Sequence, residues 1–306
     1  MKCKFCGREA VYFRPYSGEA LCMKCFLDSV ERKVRANISK YEMFEPDDRI
    51  AVAVSGGKDS LSLLYILDKI EREFPKSELI AITVNEGIKG YRNESIEIAI
   101  EFCRKLGVEH KVCNFKEFYG LTLDEIVEKS DGTYNPCTYC GVLRRKILNV
   151  VAREIGADKL AVAHNLDDEA QTVIINFVRG DPNRIARVKP TTDIVHPKLV
   201  KRVKPLCTIP EREIVLYAYF RKIRFQRSQC PYVAESLRNE IRNTLNRMEF
   251  MHPGTKYAIF RAAEKIRPPL EAAIGKPKIN ECEICGEPTP TKICKACQLL
   301  MHINAL

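Results

Sequence analysis

The feature that most constrains the fold is a glycine-rich loop between a short apolar strand and a helix. Residues 49–54 (RIAVAV) are apolar and β-branched, a composition typical of a buried strand. Residues 55–60 read SGGKDS, and residues 61–67 (LSLLYIL) continue as a helix. Glycines let backbone N–H groups approach an anion, and the helix N-terminus adds partial positive charge. The segment therefore predicts a phosphate-binding loop.

This loop is not a Walker A loop, because Val52 stands where that motif needs its first glycine. It matches SGGxDS, the PP-loop of the ATP pyrophosphatases. The resemblance implies that ATP is broken between its α and β phosphates, so that a substrate is adenylated and pyrophosphate is released.

Strands and helices alternate along the rest of the central region. Strands are expected at three further segments: 79–84, 108–115 and 159–163. A helix over 95–106 is expected to end at Gly107. The alternation predicts an α/β fold with a doubly wound parallel sheet, in which ligands bind at the carboxyl ends of the strands.

Acidic residues follow the strand at 159–163. Asp167 and Asp168 begin a helix, and Asp59 lies in the glycine-rich loop. One of these carboxylates is expected to hold Mg²⁺ against the ATP phosphates. The alternative is ordinary pairing of acidic side chains with a helix N-terminus. His164 is the weaker catalytic candidate, since a packed polar role would also explain it.

Fourteen cysteines occur in the chain, and eight of them form two sets of paired CxxC turns. These eight are Cys3, Cys6, Cys22 and Cys25, and then Cys282, Cys285, Cys294 and Cys297. Four thiolates without histidine make a closed tetrahedral site, so each set predicts one structural Zn²⁺. Disulfides or an iron site are the alternatives. Modules this short need such a metal because they cannot build a core of their own.

A third cysteine group has an odd count. Cys137 and Cys140 precede a basic helix that contains Arg144, and Cys230 lies far along the chain in a QCPY segment. Three thiolates suit a [4Fe-4S] cluster with one open iron, a persulfide site with resolving cysteines, or a redox-inert loop. The residues alone leave these three alternatives open. The remaining cysteines are expected to be buried and apolar: Cys103, Cys113 and Cys207.

Charge and hydropathy limit the partners. The chain has 50 basic and 40 acidic residues, a net charge of +10, which favours a polyanion such as nucleic acid. Residues 179–204 have eight basic and two acidic side chains and predict RNA phosphate contacts, with a solvated surface as the alternative. No signal region and no apolar run of membrane-spanning length occurs, so a cytoplasmic protein without membrane contact is expected.

The order of motifs resembles the TtuA family of tRNA 2-thiouridine synthetases over essentially the whole chain. It consists of zinc-type modules flanking a PP-loop core, with PCxxCGxxRR and a late QCPY. The resemblance implies that Cys137, Cys140 and Cys230 ligate a [4Fe-4S] cluster with one open iron. It also implies catalytic roles for Asp168 and Arg144. The residues implied to hold ATP are Ala53, Ser55, Gly56, Gly57, Lys58, Asp59, Ser60 and Thr83, with Ala53 and Thr83 on the adenine side.

The same resemblance implies the reaction and the partners. The enzyme would be a tRNA sulfurtransferase that adenylates the 2-oxygen of a uridine and replaces it with sulfur. Sulfur would come from a ubiquitin-like carrier with a C-terminal thiocarboxylate, and the protein would form a homodimer. The compact chain favours ribothymidine 54 as the target, with wobble uridine 34 or a different PP-loop ligase reaction as alternatives.

The expected domain order follows from the motifs. An N-terminal zinc finger occupies residues 1–30, and the PP-loop ATP-pyrophosphatase domain occupies 31–250. A helix and linker with several prolines occupy 251–278, and a C-terminal zinc finger occupies 279–306.

Overall fold

The computed structural model describes residues 1–193, 195–233, 237–275 and 278–305. The chain begins with a small cysteine module, a hairpin of β1 (Tyr12–Arg14) and antiparallel β2 (Glu19–Leu21). The long helix α1 (Met23–Lys40) follows directly and crosses residue 30, where the first domain was expected to end. The apolar face of α1 packs into the main core, so this helix joins the cysteine module to the central domain.

The central sheet has five parallel strands in the order β5-β4-β3-β6-β7. The strands are β3 (Arg49–Ala53), β4 (Glu78–Asn85), β5 (Glu109–Asn114), β6 (Lys159–Ala161) and β7 (Lys201–Val203). The predicted doubly wound parallel sheet is confirmed. The chain winds outward from β3 in both directions, which leaves a crevice between the carboxyl ends of β3 and β6. Strand β7 was not expected, because its short KRV segment lacks a run of apolar residues.

Helices cover both faces of the sheet. In chain order they are α2 (Lys58–Glu71), α3 (Arg92–Leu106), α4 (Phe115–Tyr119), α5 (Leu123–Lys129), α6 (Pro136–Glu154), α7 (Leu166–Val178), α8 (Pro182–Ala186), α9 (Glu211–Phe220), α10 (Leu237–Met251) and α11 (Thr255–Ile274). Alternating residues of β3 serve the two faces: Ile50 and Val52 pack with α1, α2 and α9, whereas Ala51 packs with α6.

The end of α3, the course of α11 and the burial of three cysteines can be compared with the sequence predictions. Helix α3 ends at Gly107 with φ 74°, as expected for a glycine stop. Helix α11 runs through Pro268 and Pro269, within the segment expected to be a helix and linker, and Pro277 lies outside the described residues. Cys103, Cys113 and Cys207 are buried, as expected.

The C-terminal module consists of antiparallel β8 (Asn280–Glu281) and β9 (Pro288–Thr289), followed by α12 (Lys295–His302). Leu299 and Leu300 of α12 pack in the same apolar cluster as Leu143 and Ile147 of α6. Glu287 also forms a two-point ion pair with Arg153 of α6 (2.6 and 3.1 Å). The module is therefore docked on the helix that carries Cys137 and Cys140. Among the described residues, no helix is long and apolar enough to cross a membrane.

Candidate active site at the carboxyl edge of the sheet

The glycine-rich loop is held by its own hydroxyl groups and by close packing. The N–H of Ser55 donates to Ser60 Oγ (3.0 Å), which itself donates to Gly57 O (3.0 Å). Gly56 has φ 82°, and a Cβ at this position would lie 2.1 Å from Ser95 O. Only glycine fits there. The loop presents its backbone at the N-terminus of α2, the arrangement that binds phosphate.

Lys58 and Asp59 extend the loop into a charged network. Lys58 Nζ lies 2.8 Å from both Asp59 Oδ2 and Glu211 Oε1, and Arg242 also contacts Glu211. The second oxygen of Asp59 accepts a hydrogen bond from Asn165 Nδ2 (3.1 Å). The glycine-rich loop is thereby tied to the N-terminus of α7.

Asp168 lies in the capping box of α7. Its Oδ2 accepts from the Asn165 N–H (3.2 Å), and Asn165 Oδ1 accepts from the Asp168 N–H (3.0 Å). Burial raises the pKa of Asp168 to about 6; the Asn165 N–H opposes this rise, and the nearby Asp59 carboxylate adds to it. Asn165 donates to both carboxylates, so Asp59 and Asp168 are neighbours whose negative charges suit a divalent metal.

Asp167 has a different role from its neighbour. It is buried, forms an ion pair with Lys256, and accepts a hydrogen bond from the Glu211 N–H (2.8 Å). Both of its oxygens are used by the fold, so Asp167 holds α7, α9 and α11 together.

The two residues expected on the adenine side differ in exposure. Ala53 is partly exposed at the end of β3, next to the loop. Thr83 is fully buried, and its hydroxyl donates to Val54 O (2.7 Å) and contacts His110 Nε2 (2.7 Å). Its side chain is therefore held inside the protein, and the place of this strand end on the adenine side stays a prediction.

The three odd cysteines converge from two distant segments. Cys137 starts α6, and its Sγ lies 3.4 Å from Tyr232 O, two residues after Cys230. Cys140, Cys230 and Tyr232 pack against the same apolar cluster. Burial raises the pKa of the Cys140 thiol to about 11; Arg144 opposes the rise, and Cys137 and Cys230 add to it. A thiolate here requires a positive neighbour, which Arg144 or a bound metal provides.

The spacing of these sulfurs differs from that in the two terminal modules. In each module four Sγ atoms lie within 4.8 Å of one another, and in the described part of the chain no other such group of cysteines occurs. Close spacing of four thiolates fits a single zinc ion. The sulfurs of Cys137, Cys140 and Cys230 are more widely spaced and fit a four-iron cluster, which is larger than a single ion. Three protein ligands leave one of the four irons without a protein ligand.

Backbone N–H groups favour the thiolate form of one cysteine in each terminal module, Cys3 and Cys282. The Cys22 N–H is the main cause that lowers the pKa of Cys3 to about 6. Thiolates are the form that binds zinc, so both modules suit a structural ion.

The segment before Cys230 is fastened to the glycine-rich loop. The Gln226 N–H donates to Gly56 O (3.1 Å), and Gln226 Nε2 donates to Tyr91 O (2.6 Å). Four residues later the chain reaches Cys230, and the Tyr232 hydroxyl donates to Asp124 (2.7 Å). The phosphate loop and the third cysteine are thus parts of one connected structure.

Cations gather around His164, on one wall of the crevice between the carboxyl ends of β3 and β6, which is called the cleft below. Poor solvation, followed by Arg202 and Arg144, lowers the pKa of Arg145 to about 10. Poor solvation, with Lys204 and Arg202 nearby, holds the pKa of His164 well below its usual range. In the described part of the chain the Arg145 and Arg202 guanidinium groups have no hydrogen-bond acceptor or ion-pair partner. Such a cluster favours binding of an anion.

Not every basic residue of the segment 179–204 is available for RNA. Lys204 is paired with the buried Glu169 (2.8 Å), and Lys201 donates to Glu42 O (3.2 Å). The expectation that Lys204 is a phosphate contact is therefore replaced by a structural role.

Sequence reasoning assigned no role to several residues that organise the site, namely Glu86, Arg92, Asn165 and Gln226. Glu86 and Asn165 follow predicted strands, which is a usable signal for a site residue. Arg92 and Gln226 carry no such signal, because their partners are distant in sequence.

Comparison with known proteins identifies the family. A PP-loop domain model matches residues 27–249, and a model described as the N-terminal LIM domain of the 2-thiouridine synthetase TtuA matches residues 2–27. The tRNA 2-thiolation protein NcsA of Haloferax volcanii is 36% identical, with 100% of both chains covered. The cytoplasmic tRNA 2-thiolation protein 1 of Drosophila yakuba is 36% identical, covering 98% of this chain and 87% of that protein.

A solved structure agrees with this assignment over nearly the whole chain. The U34-tRNA thiolase NcsA from Methanococcus maripaludis, solved with its [4Fe-4S] cluster, superposes with a TM-score of 0.87. The two chains are 42% identical, with 98% of this chain and 96% of that one covered. The chain belongs to the TtuA-type PP-loop family that includes these tRNA 2-thiolation proteins.

Proposed function

We propose that this protein is an ATP-dependent tRNA sulfurtransferase that replaces the 2-oxygen of a uridine with sulfur. The proposal rests on one observation: three cysteines from distant segments approach each other beside a phosphate-binding loop. A PP-loop ligase without sulfur chemistry has no need of that convergence. The names of the relatives support both the tRNA substrate and the thiolation reaction.

We propose wobble uridine 34 as the target. Chain length had favoured position 54, and that expectation is not confirmed. The U34-tRNA thiolase NcsA of Methanococcus maripaludis is 42% identical over 98% of this chain, which supports the wobble position.

The proposed chemistry uses adenylation to create a leaving group. A uracil 2-carbonyl is a poor electrophile, so its oxygen attacks the α-phosphate of ATP and pyrophosphate departs. Ser55, Gly56 and Gly57 with the N-terminus of α2 would stabilise the charge that develops on the phosphates. Asp59 and Asp168 would hold Mg²⁺. Sulfur then bonds to C2, and the original oxygen leaves with AMP.

The three cysteines would hold the sulfur-carrying group. A [4Fe-4S] cluster bound by Cys137, Cys140 and Cys230 would supply an iron without a protein ligand, to which sulfide can bind. The N-terminus of α6 and Arg144 would favour the thiolate form of these ligands. Each terminal module would hold one structural Zn²⁺.

We propose that the cationic wall of the cleft binds tRNA phosphates. The guanidinium groups of Arg145 and Arg202 have no acceptor in the described part of the chain, and several positive charges suit a polyanion better than a single carboxylate. Arg145→Gln and Arg202→Gln should each weaken tRNA binding and reduce its salt dependence by about one phosphate contact. Lys76→Gln, at the exposed amino edge of the sheet, is the control. Salt slopes equal to that of the native protein would contradict this assignment.

The main test measures sulfur in tRNA directly. Anaerobically prepared protein is incubated with ATP, Mg²⁺, sulfide and tRNA, and the nucleosides are analysed by mass spectrometry. A tRNA with cytidine at position 34 should stay unmodified, whereas one with cytidine at position 54 should be thiolated. Cys230→Ser should abolish thiolation, and Cys113→Ala, a buried cysteine on β5, should retain it.

The possible results separate the alternatives. Full activity of Cys230→Ser with tRNA-dependent pyrophosphate release would favour a ligase without sulfur transfer. Thiolation lost only with the position 54 variant would restore the first expectation. The homodimer, the cytoplasmic location and the ubiquitin-like carrier stay predictions from the family resemblance.

A further inference from the structure

A buried carboxylate lies between the phosphate loop and the cysteine helix. Glu86 follows β4, is 2% exposed, and has an arginine on each side. One oxygen lies 2.6 Å from Arg92 Nε, and the other accepts a hydrogen bond from Arg144 Nη1 (3.1 Å). A carboxylate buried in this way is stable only because both cations stay in place.

Arg92 fixes the loop side of this contact. It is 5% exposed, and its guanidinium donates to Ser55 O (3.1 Å), Val84 O (2.5 Å) and Ser95 Oγ (3.0 Å). Ser55 opens the phosphate loop, and Ser95 is the residue that Gly56 approaches closely. The position of Glu86 is therefore set by the same backbone that binds phosphate.

Arg144 is the most exposed member of the group. Its side chain is 45% exposed, and Glu86 is its one hydrogen-bond and ion-pair partner in the described part of the chain. A long side chain with that exposure loses considerable conformational entropy when it is held in one rotamer. Without Glu86 the guanidinium would sample several positions in the cleft.

We propose that Glu86 is a positioning residue for the reaction: together with Arg92, it fixes the Arg144 guanidinium at a set distance from the phosphate loop and beside Cys140. In the proposed reaction, Arg144 would act where the uridine 2-oxygen meets the α-phosphate. This inference deepens the proposed function and assigns Glu86 no direct contact with substrate.

The consequence is a specific pattern of kinetic defects. Glu86→Gln keeps the shape of the side chain but removes its charge and one of its two acceptor oxygens. Arg92 stays bonded to backbone carbonyls, whereas Arg144 loses its ion pair and is held less firmly. Misplacement of a reacting group by about 1 Å can lower a rate about 100-fold. We expect kcat for tRNA-dependent pyrophosphate release to fall by about that factor, with KM for ATP and the iron content within twofold of the native values.

A double-mutant cycle provides the decisive test. If Glu86 acts through Arg144, then Glu86→Gln/Arg144→Gln should be no slower than Arg144→Gln alone, within about threefold. Glu31→Gln is the matched control, because Glu31 is also buried and paired with two cations, Lys69 and Arg221, away from the cleft. It should leave kcat unchanged.

Other outcomes would overturn the proposal. Multiplicative losses in the double variant would mean that Glu86 acts independently of Arg144. A parallel loss of iron and ATP affinity in Glu86→Gln would mean that its role is structural. If that variant does not fold, Glu86→Asp keeps the charge but shortens the reach, and a native kcat would refute the idea. Activity of the native protein tests the proposed function separately.

Discussion

Gly56 offers the sharpest test of how this loop is built. Its φ of 82° lies in the left-handed region, and a Cβ added there would stand 2.1 Å from Ser95 O and 2.7 Å from Ser95 C. Both atoms belong to the backbone of α3, so no side-chain rotation can relieve the overlap. Gly56→Ala must therefore displace either the phosphate loop or the first turn of α3.

The size of the effect follows from three contributions. The left-handed conformation costs a non-glycine residue about 1–2 kcal/mol. Overpacking against fixed atoms adds about 1–3 kcal/mol. The less flexible unfolded chain of the alanine variant offsets about 0.4–1 kcal/mol. The net loss is about 3 kcal/mol, or a fall in Tm of about 6–12 °C for a domain of this size.

The neighbouring glycine is the matched control. Gly57 has an ordinary φ of −87°, and its added Cβ would meet nothing nearer than Ser55 Oγ at 3.4 Å. Gly57→Ala should change Tm by less than about 3 °C, because a weaker N-cap and a stiffer unfolded chain nearly cancel. Thermal unfolding of both variants, metal-loaded and without nucleotide, provides the comparison. Equal Tm values for the two variants would refute the steric account of Gly56.

Three further predictions concern charge and metal. Folding raises the pKa of Asp168 from 3.8 to about 6, so the folded protein favours the neutral carboxyl group. Ionisation of Asp168 therefore lowers the stability of the fold as the pH rises from about 4 to about 6. Asp168→Asn should therefore raise the free energy of unfolding by at most about 3 kcal/mol at pH 7.5 and leave it unchanged at pH 4. The same variant should lose Mg²⁺-dependent ATP binding. An equal gain in stability at both pH values would contradict the raised pKa of Asp168. Glu213→Gln should lower the free energy of unfolding in urea by about 3 kcal/mol, since among the described residues the buried Arg14 keeps only Glu19 as an ion-pair partner. Glu73→Gln breaks an exposed pair and should change it by under about 1 kcal/mol. Cys297→Ser should lower the iron content per chain, because α12 packs on the helix of Cys137 and Cys140, and Cys25→Ser should not; equal iron contents would disprove this coupling.

Much of the scaffold was predictable because the relevant signals are local. The alternation of apolar strands and helices predicted the parallel sheet, and the glycine stop at Gly107 predicted the end of α3. Strand β7 escaped prediction since it is short and charged, and its pairing with β6 depends on the neighbouring strand rather than on its own residues. The burial of Thr83 also escaped prediction, because the face of a central strand on which a side chain lies depends on packing.

The sequence alone determined the two four-cysteine sets and the phosphate loop. Each depends on residues a few positions apart, where one turn fixes the geometry whatever the rest of the chain does. Only the tertiary structure decided that Cys230 joins Cys137, that Lys204 is neutralised by Glu169, and that Glu86 joins Arg92 to Arg144. Contacts between distant segments depend on the path of the chain, and a buried charge is stable only where the fold brings its partner.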